Sequence, residues 1–149
     1  MLSARTSNVP TITGANSHPD VTCVAGVDTN REWVGYSSLG PGALPLPGSR
    51  VNEKPDIAAY THFLGSEALG DGKPDSGTSA ACPVMAGVMA AVRSVYPFDR
   101  NNPKRTSQKL KQHLLRNTAH PGRQTGWRND LGYGIVDTAA LVNAQGSLA

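Results

Sequence analysis

The sequence predicts an α/β protein, and three observations carry that reading. Short apolar runs rich in β-branched residues recur between turn signals, at residues 21–28 and 56–60. A long stretch with no polar face follows at residues 79–92, the pattern of a helix buried on every side. Glycine and proline together number 27, high for a helix bundle and ordinary for a loop-rich α/β or β protein. The chain has 149 residues, room for one domain or for part of a larger one. Hydrophobic residues make up 38% and charged residues 17%, against roughly 25% charged in a typical globular domain. The content of Val, Leu, Ile and Ala is too high for intrinsic disorder. The longest nearly apolar run, residues 83–92, is roughly half of what a membrane span requires, so no transmembrane helix is expected.

Residues 1–20 are polar and rich in Ser, Thr, Asn and Pro. Of these, 1–9 read as a ragged end ahead of a unit spanning 10–147. The first residues lack the apolar core of a secretory signal. Val-Thr-Cys-Val-Ala-Gly-Val-Asp at 21–28 suits a buried strand, and Trp-Val-Gly-Tyr at 33–36 a second short one. Residues 37–55, with Pro41, Pro45, Pro47 and Pro55, form a long irregular connection. Asp-Ile-Ala-Ala-Tyr at 56–60 is a further strand, and residues 61–77, with Gly65, Gly70, Gly72 and Gly77, return to loop. In the apolar helix that follows, Pro83 is expected in the first turn, where a missing N–H is tolerated. Asn102 and Pro103 read as N-cap and first residue of a second helix. Leu110 and Leu114 lie on one face of it, with Lys104, Lys109, Lys111 and Arg116 on the wet side. Gly-Tyr-Gly-Ile-Val-Asp at 132–137 leads into a last short helix over 138–144.

The two cysteines, Cys23 and Cys82, are too few for a disulfide scaffold and match no metal motif. Both are expected to be small, buried and unpaired. Net charge is +3, unevenly spread: residues 93–128 hold nine basic residues and one acid, Asp99. Between Arg100 and Arg123 no Phe, Tyr or Trp interleaves with the basic residues as a base-stacking surface requires. The segment therefore reads as a solvated helix face, and no nucleic-acid partner is expected.

The segment that carries chemistry is Asp75-Ser-Gly-Thr-Ser-Ala-Ala-Cys-Pro83. A glycine loop delivers Ser79 to the start of an apolar helix, where backbone N–H groups lack internal partners and the dipole is positive. An oxyanion forming beside Ser79 Oγ could accept the Ser79 N–H. Gly77 permits a tight turn and close approach of a substrate backbone. The same residues also suit a plainer role, in which Thr78 or Ser79 caps a buried helix. Chemistry alone leaves both open, because a serine hydroxyl is a poor nucleophile without a base.

The segment resembles the nucleophile element Gly-Thr-Ser-x-Ala-x-Pro of the subtilisin-like serine peptidases, here Gly77 to Pro83. The family often continues His-Val-Ala-Gly, and Val84 stands in place of that His. Other elements follow in family order: Pro19-Asp-Val-Thr-Cys-Val-Ala-Gly-Val-Asp28, Tyr36-Ser-Ser-Leu-Gly-Pro41 for the family's Phe-Ser-Ser-x-Gly-Pro, Lys54-Pro-Asp-Ile-Ala-Ala59, Leu114-Leu-Arg-Asn-Thr-Ala119 and Gly132-Tyr-Gly-Ile-Val-Asp137. The resemblance implies the C-terminal part of a doubly wound parallel sheet with a central helix starting at the nucleophile. It implies serine-type endopeptidase chemistry on peptide or protein substrates, with Ser79 as nucleophile and oxyanion donor and Ser76, Gly77 and Thr78 forming the loop beside the substrate.

It also exposes an absence. In the family the Asp and His of the triad precede the strand at 21–28, and nothing here resembles their Asp-(Thr/Ser)-Gly or His-Gly-Thr elements. His18, His62, His113 and His120 occupy no family-matching position and read as surface or packing residues. An oxyanion Asn should come earlier too. Asn16 is too near the strand, and Asn8 is nearer the expected distance but lacks the preceding Gly. A helix without a polar face also needs more cover than these few elements supply. The expectation is therefore part of a domain, inactive alone: a truncated or split gene product, a non-catalytic remnant or partner-binding fragment in which Ser79 only caps the helix, or a chain that pairs with a separate N-terminal half-domain supplying Asp and His. The resemblance admits calcium, but no carboxylate cluster with oxygen-ligand spacing appears, and no metal or cofactor residue is assigned. Family membership would imply an extracellular location; no membrane partner is expected.

Overall fold

The computed structural model describes residues 10–122 and 125–144. It is a mixed α/β structure around a four-stranded sheet. The strands are β1 (Val24–Val27), β2 (Ile57–Tyr60), β3 (Thr118–Ala119) and β4 (Ile135–Val136). Their spatial order is β1-β2-β4-β3. β1 pairs with β2 and β2 with β4 in parallel, while β3 runs antiparallel to β4. The helices are α1 (Thr78–Val95), α2 (Ser107–Arg116) and α3 (Thr138–Asn143).

Strand side chains alternate between two apolar layers, as a sheet covered on both faces requires. Ile57, Ala59 and Val136 face one layer, where they meet Ala81 and Met85 of α1, Leu110 and Leu114 of α2 and Leu141 of α3. Ala25, Val27, Ala58 and Ile135 face the other, which Leu131, Trp33 and Tyr60 close. Among the described residues, then, all three helices lie against one face, and the opposite face is covered from loops. Small residues let the layers approach. A Cβ on Gly26 would sit 3.1 Å from Val34 Cγ2 and 3.7 Å from Thr78 Cγ2, so β1 lies close beneath the start of α1.

The most informative difference from expectation lies in α1. The helix packs Ala80, Ala81 and Met85 into the interior, but Cys82, Pro83, Ala86, Gly87, Ala90 and Ala91 on its other side are exposed. By length and composition alone α1 reaches membrane-crossing size, with mean hydropathy 1.3; here it is the helix that packs on β1 and β2. Its expected cover on every side is thus met on one side only, because the described elements all lie beneath it. Cys82, expected to be buried, is exposed on that open side, and Cys23 is half-buried; both are free thiols. Pro83 falls in the second turn, not the first. Its missing N–H therefore leaves the Ser79 carbonyl without the usual helical donor.

Smaller differences have local causes. The expected strand at 33–36 is a single bridge between Val27 and Trp33. Asn102 caps a 3-10 turn, Pro103–Arg105, and Thr106 caps α2 by accepting the Lys109 N–H. The last helix ends at Asn143, and its N-cap is Asp137, which accepts the Ala140 N–H at 2.9 Å.

A buried ionic cluster ties the sheet to α2. Lys54 Nζ lies 2.7 Å from Asp56 Oδ2, and Lys111 Nζ 2.6 Å from Asp56 Oδ1. Asp56 Oδ2 also accepts the Cys23 N–H at 2.7 Å. Lys54 Nζ donates onward to the Val21 carbonyl. Burial pulls the Lys54 ammonium below its ordinary value, and the bond to Asp56 opposes that pull. Glycine is required nearby: a Cβ on Gly40 would lie 1.6 Å from the Lys54 carbonyl oxygen, and one on Gly132 2.4 Å from that of Asp56.

Candidate active site

β2 ends at Tyr60, and the chain turns through His62, whose backbone is left-handed (φ 60°). The segment expected to be plain loop at 61–77 is an organised excursion. Phe63 and Asp75 pair across it, with Asp75 N–H donating to the Phe63 carbonyl at 2.8 Å and His62 N–H to that of Asp75 at 2.9 Å. The Asp75 carboxylate accepts both the Ser66 N–H, at 2.8 Å, and the Ser66 hydroxyl, at 2.6 Å. Gly65 fits beneath it, since a Cβ there would meet Asp75 Oδ2 at 2.8 Å and the Phe63 ring at 2.7 Å.

Gly77 is the N-cap of α1, with φ 87° and ψ 164°, a region that only glycine occupies without strain. It has no side chain to cap with. Thr78 and Ser79 are the first and second residues of the helix itself. The Ala80 N–H bonds back to the Gly77 carbonyl at 3.1 Å, and the Ser79 N–H is one of the helix-start donors with no carbonyl a turn behind it. No acidic residue lies in the first turn, so the positive end of the helix is not neutralised there.

Ser79 is exposed and lines a groove of about 540 Å³ with Phe63, Ser66, Leu69, Ser76 and Val84. The expected loop residues thus divide. Ser76 and Ser79 share this groove. Thr78 faces a smaller cavity of about 150 Å³ with Asn16, Cys23 and Tyr36. Asn8 lies outside the described residues. The histidines are dispersed. His18 is 3.9 Å from Asp20, His62 packs its ring 5.8 Å from that of Tyr36, His113 is buried in α2, and His120 Nε2 is 3.5 Å from Thr118 Oγ1. Among the described residues no cluster of His, Cys, Asp and Glu has the makings of a metal site. Burial, and then the charge of Asp56, push the Cys23 thiol up to about 11, which keeps it protonated and unreactive.

Sequence reasoning missed Tyr36. Its hydroxyl accepts the Gly77 N–H at 2.8 Å and lies 3.4 Å from Thr61 Oγ1. The only signal was Tyr where the resembling element has Phe.

A parallel-dominated sheet, a helix opening at Gly-Thr-Ser and a groove beside that serine define the class of a subtilisin-type hydrolase fold. Residues 4–134 match the Subtilase family, peptidase S8, and the chain belongs to that family of serine peptidases. It is 33% identical over 110 residues to the subtilisin-like protease SBT6.1 of Arabidopsis thaliana, covering 73% of this chain and 11% of that protein. It is 38% identical over 93 residues to the membrane-bound transcription factor site-1 protease of Homo sapiens, covering 61% and 9%. The chain thus spans about a tenth of the length of these relatives. Among solved structures, the prenylagaramide maturation protease PagA superposes with TM-score 0.64 at 24% identity, covering 91% of this chain and 45% of that one. The CspB protease of Clostridium perfringens does so with TM-score 0.63 at 24% identity, covering 83% and 26%. Both likenesses are of fold.

Proposed function

We propose that this chain is the nucleophile-bearing half of a serine endopeptidase domain. Ser79 attacks the peptide carbonyl, and its own N–H receives the oxyanion. The observation that carries the reading is the Gly77 elbow. A residue in a glycine-only conformation sets Ser79, exposed, at the unneutralised start of a helix and on the rim of a groove. The substrate is a peptide or protein segment lying in that groove, with Ser76 and the Gly77 backbone beside it, while Thr78 faces the smaller cavity behind the loop.

A base is needed to take the Ser79 proton, and an Asp to orient that base. The dispersion of the four histidines supports a chain that is inactive alone. The exposed apolar side of α1 supports a place for a half-domain that brings Asp, His and a further oxyanion donor. Such a half covers Cys82, Ala86 and Gly87, small residues that admit close packing.

The test fuses the N-terminal half of the Arabidopsis relative's peptidase domain ahead of this chain and measures peptide hydrolysis. The fusion hydrolyses, and Ser79→Ala abolishes it. Hydrolysis that survives Ser79→Ala contradicts the assignment.

A further inference from the structure

We propose that Tyr36 is a positioning residue for Ser79, holding the nucleophile loop through a single hydrogen bond; the proposal rests on the reading of Ser79 given above. Gly77 has no side chain by which its unusual conformation can be held. Only its peptide groups can be gripped, and both are. Its carbonyl accepts the Ala80 N–H at 3.1 Å, and its N–H donates to the Tyr36 hydroxyl oxygen at 2.8 Å. Rotation about Gly77 is the motion that would re-aim Thr78 and Ser79, and the Tyr36 bond restrains it from the N-terminal side.

The Tyr36 ring is half exposed, but the backbone that carries it is anchored. The adjoining Ser37 is buried, its Oγ accepts the Gly26 N–H from β1 at 3.1 Å, and its N–H donates to the Val34 carbonyl at 2.9 Å. On the other side the Tyr36 hydroxyl is 3.4 Å from Thr61 Oγ1. Thr61 is fully buried, and its N–H donates to the Val27 carbonyl at 2.8 Å. The phenol oxygen thereby links the ends of β1 and β2 to the loop that presents Ser79. Phenylalanine, as in the resembling family element, leaves the Gly77 N–H without this acceptor, so the device comes from this chain's own hydroxyl.

The test is Tyr36→Phe, which removes one oxygen and keeps the ring. In the full chain, amide hydrogen exchange read by nitrogen-15 NMR is expected to accelerate roughly two- to tenfold at Gly77 and Ala80, the two amides whose bonds hold the elbow. The amides of β1 and β2 stay unchanged, which reports an intact fold. Thr61→Val, which removes only the longer contact, leaves Gly77 exchange as it was. In the fusion with the N-terminal half, phosphonylation of Ser79 by a fluorophosphonate slows by a similar factor, and kcat falls while KM holds. Unchanged exchange at Gly77, or unchanged phosphonylation and kcat in Tyr36→Phe, overturns the proposal. If the unaltered fusion is never phosphonylated, the peptidase reading fails. The exchange comparison at Gly77 and Ala80 then decides alone whether Tyr36 holds the loop.

Discussion

Lys111 Nζ lies 2.6 Å from Asp56 Oδ1, and this ion pair fastens α2 to the start of β2. Asp56 is the shared anion of the cluster, because Lys54 closes on its other oxygen at 2.7 Å with only 2% of its side chain exposed. Asp56→Ala strands that buried ammonium and leaves the Cys23 N–H without its acceptor. The expected loss is about 3–5 kcal/mol in urea unfolding. Lys111, with 22% of its side chain exposed, is the dispensable partner: Lys111→Met costs about 1 kcal/mol or less. Equal effects for the two substitutions would refute this ranking.

His113 makes stability depend on pH. Burial holds its imidazole below the ordinary value of 6.5, while a backbone bond with Leu141 works the other way. The unfolded chain therefore takes up a proton that the folded chain resists. The contribution is fully present above the ordinary histidine range. It is lost as pH falls through that range toward the lower folded-state value. The thermal midpoint is expected to drop between about pH 7.5 and about pH 5, and His113→Gln to flatten part of that drop. A midpoint that rises on acidification in the unaltered chain and not in His113→Gln would reverse the sign.

The two thiols should differ sharply toward alkylation. Cys82 is exposed on the open side of α1, while Cys23 is half-buried and pushed up to about 11. Iodoacetamide near neutral pH is expected to modify Cys82 quickly and Cys23 slowly, as read by peptide mass spectrometry. In the fusion with the N-terminal half, Cys82 becomes protected. Fast modification of Cys82 in a hydrolytically active fusion would show that the half-domain does not cover this side.

Gly77 is the backbone hinge of the site. At φ 87° and ψ 164° an alanine is strained whatever the space around it, at a cost of about 1–3 kcal/mol. Gly77→Ala should lower the urea midpoint and slow Ser79 phosphonylation in the fusion. Gly87→Ala, in open space on α1, should do neither in the chain alone. Identical behaviour of the two variants would remove the conformational argument for Gly77.

Much of this fold could be read from local pattern. β1 and β2 fall inside apolar runs bounded by turn residues, and the glycine loop before Ser79 marks the start of α1. What escaped was set by distant partners. The two-residue strand β3 is too short to leave a periodic signal. Asn102 and Thr106 are both capping residues, and only the backbone path assigns one to a 3-10 turn and the other to α2. The excursion between β2 and α1 reads as loop because its order comes from the Asp75 carboxylate gripping Ser66. At the site, the glycine requirement was legible and the Tyr36 contact was not, since it spans 41 positions. The apolarity of α1 was legible as well, but it describes a helix with cover on every side, and the described elements provide one side.

The central claim is that Ser79 is a nucleophile lacking its base in this chain. Fluorophosphonate labelling, followed by mass spectrometry of the Ser79 peptide, tests it most directly. The account predicts negligible labelling of the 149-residue chain alone and rapid labelling of Ser79 once the N-terminal half is fused ahead of it. Labelling of the chain alone at the rate of a complete peptidase would contradict it.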